Sequence, residues 1–138
     1  MEKQRPGVGV GVIVIKDGKV LLQRRTSSHG DGTWCFSGGH LEFNESIEDC
    51  AKREALEESG VTIKNLRFVN ITNDIFKEEK KHYITIFMVS DWESGEAKIR
   101  EPDKITGMGW FEWNDLPKPL FLPIQNLIKM GYNPFEKE

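Results

Sequence analysis

The sequence predicts an α/β fold, an α/β/α sandwich in which helices cover both faces of a mixed central sheet. Three observations predict it. Residues 8–15 alternate in the period-two pattern of a strand, and further alternating runs follow at 66–73 and 82–90. One segment between these runs carries helix start and stop signals, and a second such segment closes the chain. The 138 residues suit a single domain spanning 1–138.

The elements follow in order. Val8, Val10, Val12 and Val14 alternate with Gly9, Gly11, Ile13 and Ile15, and Asp17-Gly18 supplies a tight hairpin turn to a partner strand, Val20 to Arg24. Thr26 to Thr33 has no apolar member and reads as a loop. Trp34 to Glu42 is strand-like but holds Gly38-Gly39, a pair that signals close approach to the backbone. Ser46 is a helix cap with Asp49 three residues on, and Gly60 is a natural stop, so Ile47 to Ser59 is predicted helical. Leu66–Asn73 and His82–Ser90 read as antiparallel strands joined by a solvated loop, Lys77 to Lys81. Trp110–Trp113 reads as a short strand. Pro123 opens a last helix, with Gly131 as its stop and Pro134 beyond.

Composition narrows the functional class. With 38% hydrophobic and 30% charged residues the chain is globular rather than disordered. The net charge of -3 and the lack of a basic run argue against a nucleic-acid polymer as partner. No stretch approaches 18 apolar residues and no signal peptide is recognisable, so neither a membrane span nor export is expected. Cys35 and Cys50 stand in no metal or redox spacing and are expected to be free thiols in a reducing cytoplasm.

The helix after Ser46 breaks its own pattern. At about 100° per residue, Ile47, Cys50, Ala51, Glu54 and Glu58 fall within about 100° of one another. Glu57 lies at the edge of that sector, and Ser59 falls outside it. The apolar stripe of the first turns thus becomes a carboxylate stripe in the last ones. Like charges one turn apart repel, and the C-terminal end of a helix disfavours them further. Arg53 is one cation among several anions. A hard divalent ion held by oxygen ligands, Mg²⁺ or in its place Mn²⁺, offsets the remainder. On spacing alone, a solvated acidic helix end is the competing reading.

The segment from Gly39 to Val61 decides between them. It runs Gly39, five residues, Glu45, seven residues, then Arg53-Glu54-Ala55-Leu56-Glu57-Glu58-Ser59-Gly60-Val61. This resembles the 23-residue signature of the Nudix hydrolases, MutT-like enzymes, with all seven charged and glycine positions filled. Two departures are Ala55, where a larger aliphatic is usual, and Ser37 in place of the usual proline before the glycine pair. The resemblance implies metal ligation by Glu54, Glu57, Glu58 and the Gly39 carbonyl. It implies water activation by Glu54 or Glu58, with Arg53 orienting the glutamates. Glu45 would assist, and Glu101 sits where some members place a further ligand or base. Arg25, Phe36, Gly38 and Thr85 would contact substrate.

The activity implied is Mg²⁺-dependent hydrolysis of a nucleoside triphosphate, 8-oxo-dGTP or another dNTP among the candidates, to the monophosphate and pyrophosphate. The alternatives are another diphosphate (ADP-ribose, NADH, a nucleotide sugar or an isoprenyl diphosphate) and a non-catalytic nucleotide-sensing module. The resemblance also implies a homodimer, for which the apolar N-terminal strand offers an edge.

Overall fold

The structure is a computed structural model that describes residues 4–136. The order is β1 (Gly7–Lys16), β2 (Lys19–Arg25), β3 (Trp34–Cys35), β4 (Ser37–His40), α1 (Ile47–Ser59), β5 (Thr62–Phe76), β6 (Lys81–Ser94), β7 (Ile105–Phe111), a 3₁₀ turn at Trp113–Asp115, and α2 (Leu122–Lys129). The strands form one mixed sheet along the path β3-β2-β1-β6-β5, with β4 pairing β1 and β7 pairing β2. The predicted fold class is the one observed.

The alternation in β1 sorts its residues onto two cores. Val10, Val12 and Val14 pack with Leu21, Met88 and the α1 residues Cys50, Ala51 and Ala55. Ile13 packs on the opposite face with Val20, Leu22, Phe87 and the α2 residues Ile124 and Leu127. Each face of the sheet therefore buries its apolar set under one helix. At roughly 25 cal/mol per Å² of apolar surface, this burial is the main force holding the layers together.

The sheet splays open at one place. β1 and β2 pair only near their hairpin, at Ile15–Val20 and Lys16–Lys19. Beyond it β4 takes over the β1 edge, from Gly9–His40 to Val12–Ser37, while β3 follows β2 at Gln23–Cys35 and Arg24–Trp34. The strand-like run from Trp34 is thus split at Phe36 between two partners. The split sets the glycine pair of β4 over the C-terminal half of α1.

The helix boundaries are those predicted. The Ser46 hydroxyl accepts from Asp49 N at 3.1 Å, and Gly60 adopts φ 78°, a left-handed stop in which only glycine is unstrained. Several expectations are corrected. The N-terminal strand is no free edge: β1 lies inside the sheet, parallel to β6 from Gly7–Tyr83 to Ile15–Asp91 and flanked on its other side by β4 and β2. Its all-apolar character reflects burial on both faces. The last strand runs over Ile105–Phe111 rather than Trp110–Trp113, and Trp113 begins the 3₁₀ turn. Gly107 and Gly109 disguise it, because glycine disfavours strands in general; here a Cβ on Gly107 would lie 2.9 Å from the Trp34 ring. β5 and β6 also run longer than predicted, since the polar residues of β5 sit on an outer, partly exposed strand that carries register shifts.

Candidate active site

A cavity of about 490 Å³ opens where β1 and β2 part. Its floor is low because β1 carries glycine there: Gly9 and Gly11 line it, and a Cβ on Gly11 would stand 3.0 Å from Phe87. Glu54, Glu57, Glu58 and Glu101 line one side, and Arg25, Thr85, Phe36 and the Gly38-Gly39 pair line the rest. The structure therefore brings together all the predicted site residues except Arg53 and Glu45, which lie behind the carboxylates.

The inward face of α1 is rotated from the predicted one. Cys50, Ala51, Ala55 and Ser59 are the buried residues, and Glu54 and Glu58 run along the flank. Ser59, expected off this face, is fully buried because its hydroxyl donates to Ala55 O at 2.7 Å and leaves no unpaired polar group. The small side chain of Ala55, at the position where the signature usually has a larger aliphatic, lies in the core against the sheet.

Backbone contact fixes the carboxylates. Gly38 N donates to Glu58 Oε1 at 2.8 Å. Gly39 stands so close to Glu54 that an added Cβ would lie 2.6 Å from Oε2. Burial, with Glu54 and Glu101 nearby, pushes the Glu58 carboxyl up to about 8, although the Gly38 N–H and the Gln23 amide pull the other way. Burial likewise raises Glu54 against the pull of Arg53.

Arg53 organises the outer side. Its Nε donates to Glu45 Oε2 at 2.7 Å, Nη2 to Glu45 Oε1 at 3.0 Å, and Nη1 to Glu54 and, at 3.4 Å, to Glu57. The hydrogen bond from Arg53 holds the Glu45 carboxyl down at about 2. An Arg53→Ala variant is expected to return Glu45 toward the ordinary carboxylate range. Carboxyl ¹³C titration checks this, and a Glu45 still titrating near 2 would show that other contacts hold it.

The oxygen-only donor set fits a hard divalent cation. Two acidic groups with raised pKa values face the cavity with Glu57 and Glu101, while Arg53 neutralises them only from behind. As they stand, no three His, Cys, Asp or Glu side chains among the described residues converge tightly enough to coordinate one ion.

Sequence reasoning missed several lining residues. His29, Phe76, Tyr83 and Phe121 form an aromatic wall beside Arg25; they come from four separate elements, so no spacing could reveal them. Gln23 is buried behind Glu58, and the Ser37 hydroxyl stands 3.5 Å from its Oε1. The residue that replaces the usual proline thus borders the Glu58 support. The Thr85 hydroxyl is already engaged, donating to the buried Asp74 at 2.6 Å. Phe36 is almost fully buried and packs between Phe87 and Trp113. Both cysteines are free and buried, and burial pushes each thiol up to about 12.

Fold and cavity together define an α/β sandwich whose acidic helix end meets a glycine pair at the mouth of a pocket. A family model described as the NUDIX domain matches residues 5–129, and the chain belongs to this family. The NAD-capped RNA hydrolase NudC of Citrobacter koseri is 32% identical over 117 residues, which make up 84% of this chain and 44% of that relative. The ADP-ribose pyrophosphatase of Methanocaldococcus jannaschii is 31% identical over 116 residues, 84% of this chain and 68% of that one. This chain thus spans less than half the length of the NudC relatives it matches. The crystal structure of a MutT NUDIX hydrolase from Burkholderia pseudomallei superimposes with a TM-score of 0.84 at 29% identity, covering 91% of this chain and 98% of that one. Nudix hydrolases generally need a divalent metal ion. No helix among the described residues is long and apolar enough to cross a membrane.

Proposed function

We propose that this chain is a Mg²⁺-dependent pyrophosphohydrolase that cleaves the diphosphate of a nucleoside diphosphate joined to a second group, with ADP-ribose as the representative substrate. One observation carries the reading: the α1 carboxylates Glu54, Glu57 and Glu58 and the Arg25 guanidinium line a single cavity that also holds the aromatic rings of Phe76, Tyr83 and Phe121. Such a cavity suits a molecule with a charged middle and a flat ring at one end. The ADP-ribose and NAD-capped RNA in the relatives' names both contain a diphosphate flanked by two groups, which favours this class over a nucleoside triphosphate.

In this reading Glu54, Glu57, Glu58 and the Gly39 carbonyl hold the ion, with Mn²⁺ able to replace Mg²⁺. An ion held there would supply positive charge against the phosphates. Arg25 binds the phosphates, and the protein's part is mainly positioning and electrostatic stabilisation. Water adds to one phosphorus, the bridging oxygen leaves with the other phosphate, and the water's proton passes to a carboxylate of the Glu54–Glu58 pair. Glu58 is suited to this because the Gly38 N–H fixes its Oε1. Arg53 and Glu45 position the glutamates, and Glu101 adds a further carboxylate. Phe36 acts as a packed wall beneath the pocket, Gly38 by its N–H, and Thr85 by its contact with Asp74. A homodimer would use a surface other than β1, which is paired on both sides.

A chromatographic screen for the monophosphate products tests the proposal with ADP-ribose, NADH, a nucleotide sugar, an isoprenyl diphosphate, dGTP and 8-oxo-dGTP, each with and without Mg²⁺. ADP-ribose is expected to turn over fastest, and only with the ion. Preference for a triphosphate would replace the substrate assignment. Binding without turnover on any compound would identify a sensing module.

A further inference from the structure

A second hollow, of about 840 Å³, lies between residues 4–7 and the hairpin that joins β5 to β6. Arg5, Lys77, Lys80 and Lys81 line it, and among the described residues no carboxylate does. That lining is biased for a chain whose net charge is -3. None of the four cations takes part in an ion pair among the described residues. The two acids of the hairpin turn, Glu78 and Glu79, stand outside the hollow. Glu79 is turned to the loop after β2, where its Oε2 accepts from Gly30 N at 3.2 Å. Like charges gathered without counter-charges repel, and an anion in the hollow offsets that repulsion.

The hollow adjoins the catalytic cavity, because His40, Phe76 and Tyr83 line both. The shared rim is held by His40 Nε2 and Tyr83 Oη, 3.1 Å apart. Gly7 makes room for it, since a Cβ there would stand 2.7 Å from the Tyr83 ring. His40 follows Gly39, so the basic hollow begins one residue from the carbonyl assigned to the ion. Lys81 pairs with Phe76 across the β5–β6 ladder and stands two residues before Tyr83, so all three lie on one face of the sheet. Its charge is felt inside the cavity: after burial and Arg25, Lys81 is the next influence that holds the His29 imidazole down at about 4.

We propose that this hollow is a second anion site, which takes a phosphate carried on the ribose of the bound nucleotide in addition to the diphosphate. The inference deepens the pyrophosphohydrolase reading above and rests on it for the pose. A base against the aromatic wall at Phe76 and Tyr83 places its sugar at the rim those two residues share. The 5′-linked diphosphate then runs to the carboxylates of α1. A 2′- or 3′-phosphate leaves the sugar by another direction, over the rim and toward Lys81. Lysine suits this task, because a point charge on a flexible stem accepts a phosphate in more than one position.

Calorimetry with AMP, adenosine 2′,5′-bisphosphate and adenosine 3′,5′-bisphosphate, all with Mg²⁺, tests the site without any turnover. A bisphosphate is expected to bind about ten- to hundredfold tighter than AMP at low salt, the worth of a contact between charged groups. Added salt should shrink that advantage. Lys80→Met combined with Lys81→Met keeps the stems and removes two charges, so it should bring both bisphosphates close to AMP. Lys19→Met, at the other end of β1 from Gly7, should keep the advantage. Spectra of the natural protein give a reading that needs no variant: the Lys81 and Tyr83 amides should shift with a bisphosphate well beyond the shifts caused by AMP. Equal affinity for AMP and both bisphosphates, unmoved amides, or an advantage that survives the loss of both lysines would overturn the site. A 5′-phosphorylated tetranucleotide that binds tighter than the 3′,5′-bisphosphate through the same lysines would identify the end of an oligonucleotide as the source of the ribose phosphate; equal binding would identify a mononucleotide. Bisphosphate binding that needs the lysines, with no hydrolysis of ADP-ribose, would sustain the site and defeat the catalytic assignment. Hydrolysis of ADP-ribose with no bisphosphate advantage would do the reverse.

Discussion

Glu58→Gln is expected to stop turnover and yet make the metal-free protein harder to unfold at pH 8. The two effects share one cause. The folded protein holds the Glu58 proton to about 8, whereas an unfolded glutamate releases it near 4.5. Between those values the native state binds more protons, so this group's contribution to stability is complete below pH 4.5 and falls as pH rises to about 8. The ionised carboxylate therefore costs the fold at most about 5 kcal/mol by linkage. Glutamine has nearly the same shape, can still accept from Gly38 N–H, and carries no charge to bury. Its melting temperature without divalent ions should exceed that of the natural protein at pH 8 and approach it at pH 5. Added Mg²⁺ should reverse the order, because only the natural protein regains the cost by binding the ion. The rate at saturating Mg²⁺ should fall roughly a thousandfold or more, the scale of losing a metal ligand and proton acceptor together. A variant within tenfold of normal turnover, or one that melts lower at pH 8, would contradict this account.

That coupling explains why the acidic helix end was legible in the sequence. Glutamates in the sector that the helical period assigned to the core marked the segment, and such conflicts concentrate at functional sites, although the buried face is Cys50, Ala51, Ala55 and Ser59 with Glu54 and Glu58 on its flank. The boundaries of α1 were legible for an equally local reason: Ser46 and Gly60 cap it through contacts within a few residues. The alternation of β1 showed that it was a strand. It could not show that β1 was interior, because parallel pairing with β6 and antiparallel pairing with β4 depend on segments roughly 75 and 30 residues away, respectively. The strand through Gly107 and Gly109 was hidden because its glycines answer to Trp34 and Phe111, neighbours chosen by the fold.

The substrate side of the cavity was less legible than the metal side, again for a physical reason. Glu54, Glu57 and Glu58 lie within two turns of one helix, so their spacing alone brings them together. The aromatic wall is assembled from His29 in a loop, Phe76 on β5, Tyr83 on β6 and Phe121 before α2. None has a periodic relation to another. Arg25 was named from resemblance, but the residue that fixes its guanidinium, Phe121, is 96 positions further along the chain. Substrate preference in this fold depends on such long-range arrangements, which is why the carboxylates define a reaction class more readily than a substrate.

The glycine pair of β4 supplies the other large effect, and its two members should fail in different ways. A Cβ on Gly38 would stand 2.1 Å from Val10 O and 3.1 Å from Gly11 Cα. Those are backbone atoms of the central strand, held by pairing to β6 on the far side, so no side-chain rotation relieves the clash. Gly38→Ala must push β4 away from β1, breaking ladder contacts at Val10–Gly39 and Gly11–Gly38 and withdrawing the N–H that holds Glu58. A cost of about 4 kcal/mol or more is expected, enough to leave much of the protein unfolded. At Gly39 the nearest atoms are the carboxylate of Glu54, the far end of a flexible side chain, at 2.6 to 3.0 Å. Gly39→Ala should therefore fold, with a loss of about 1 kcal/mol, while Glu54 swings out of position and Mg²⁺ dependence shifts to much higher concentration. Urea unfolding and Mg²⁺ titration of the two variants separate the outcomes. If Gly38→Ala proved as stable as Gly39→Ala, the close packing of β4 on β1 would be wrong. If Gly39→Ala kept its Mg²⁺ dependence unchanged, Glu54 would have no part in holding the ion.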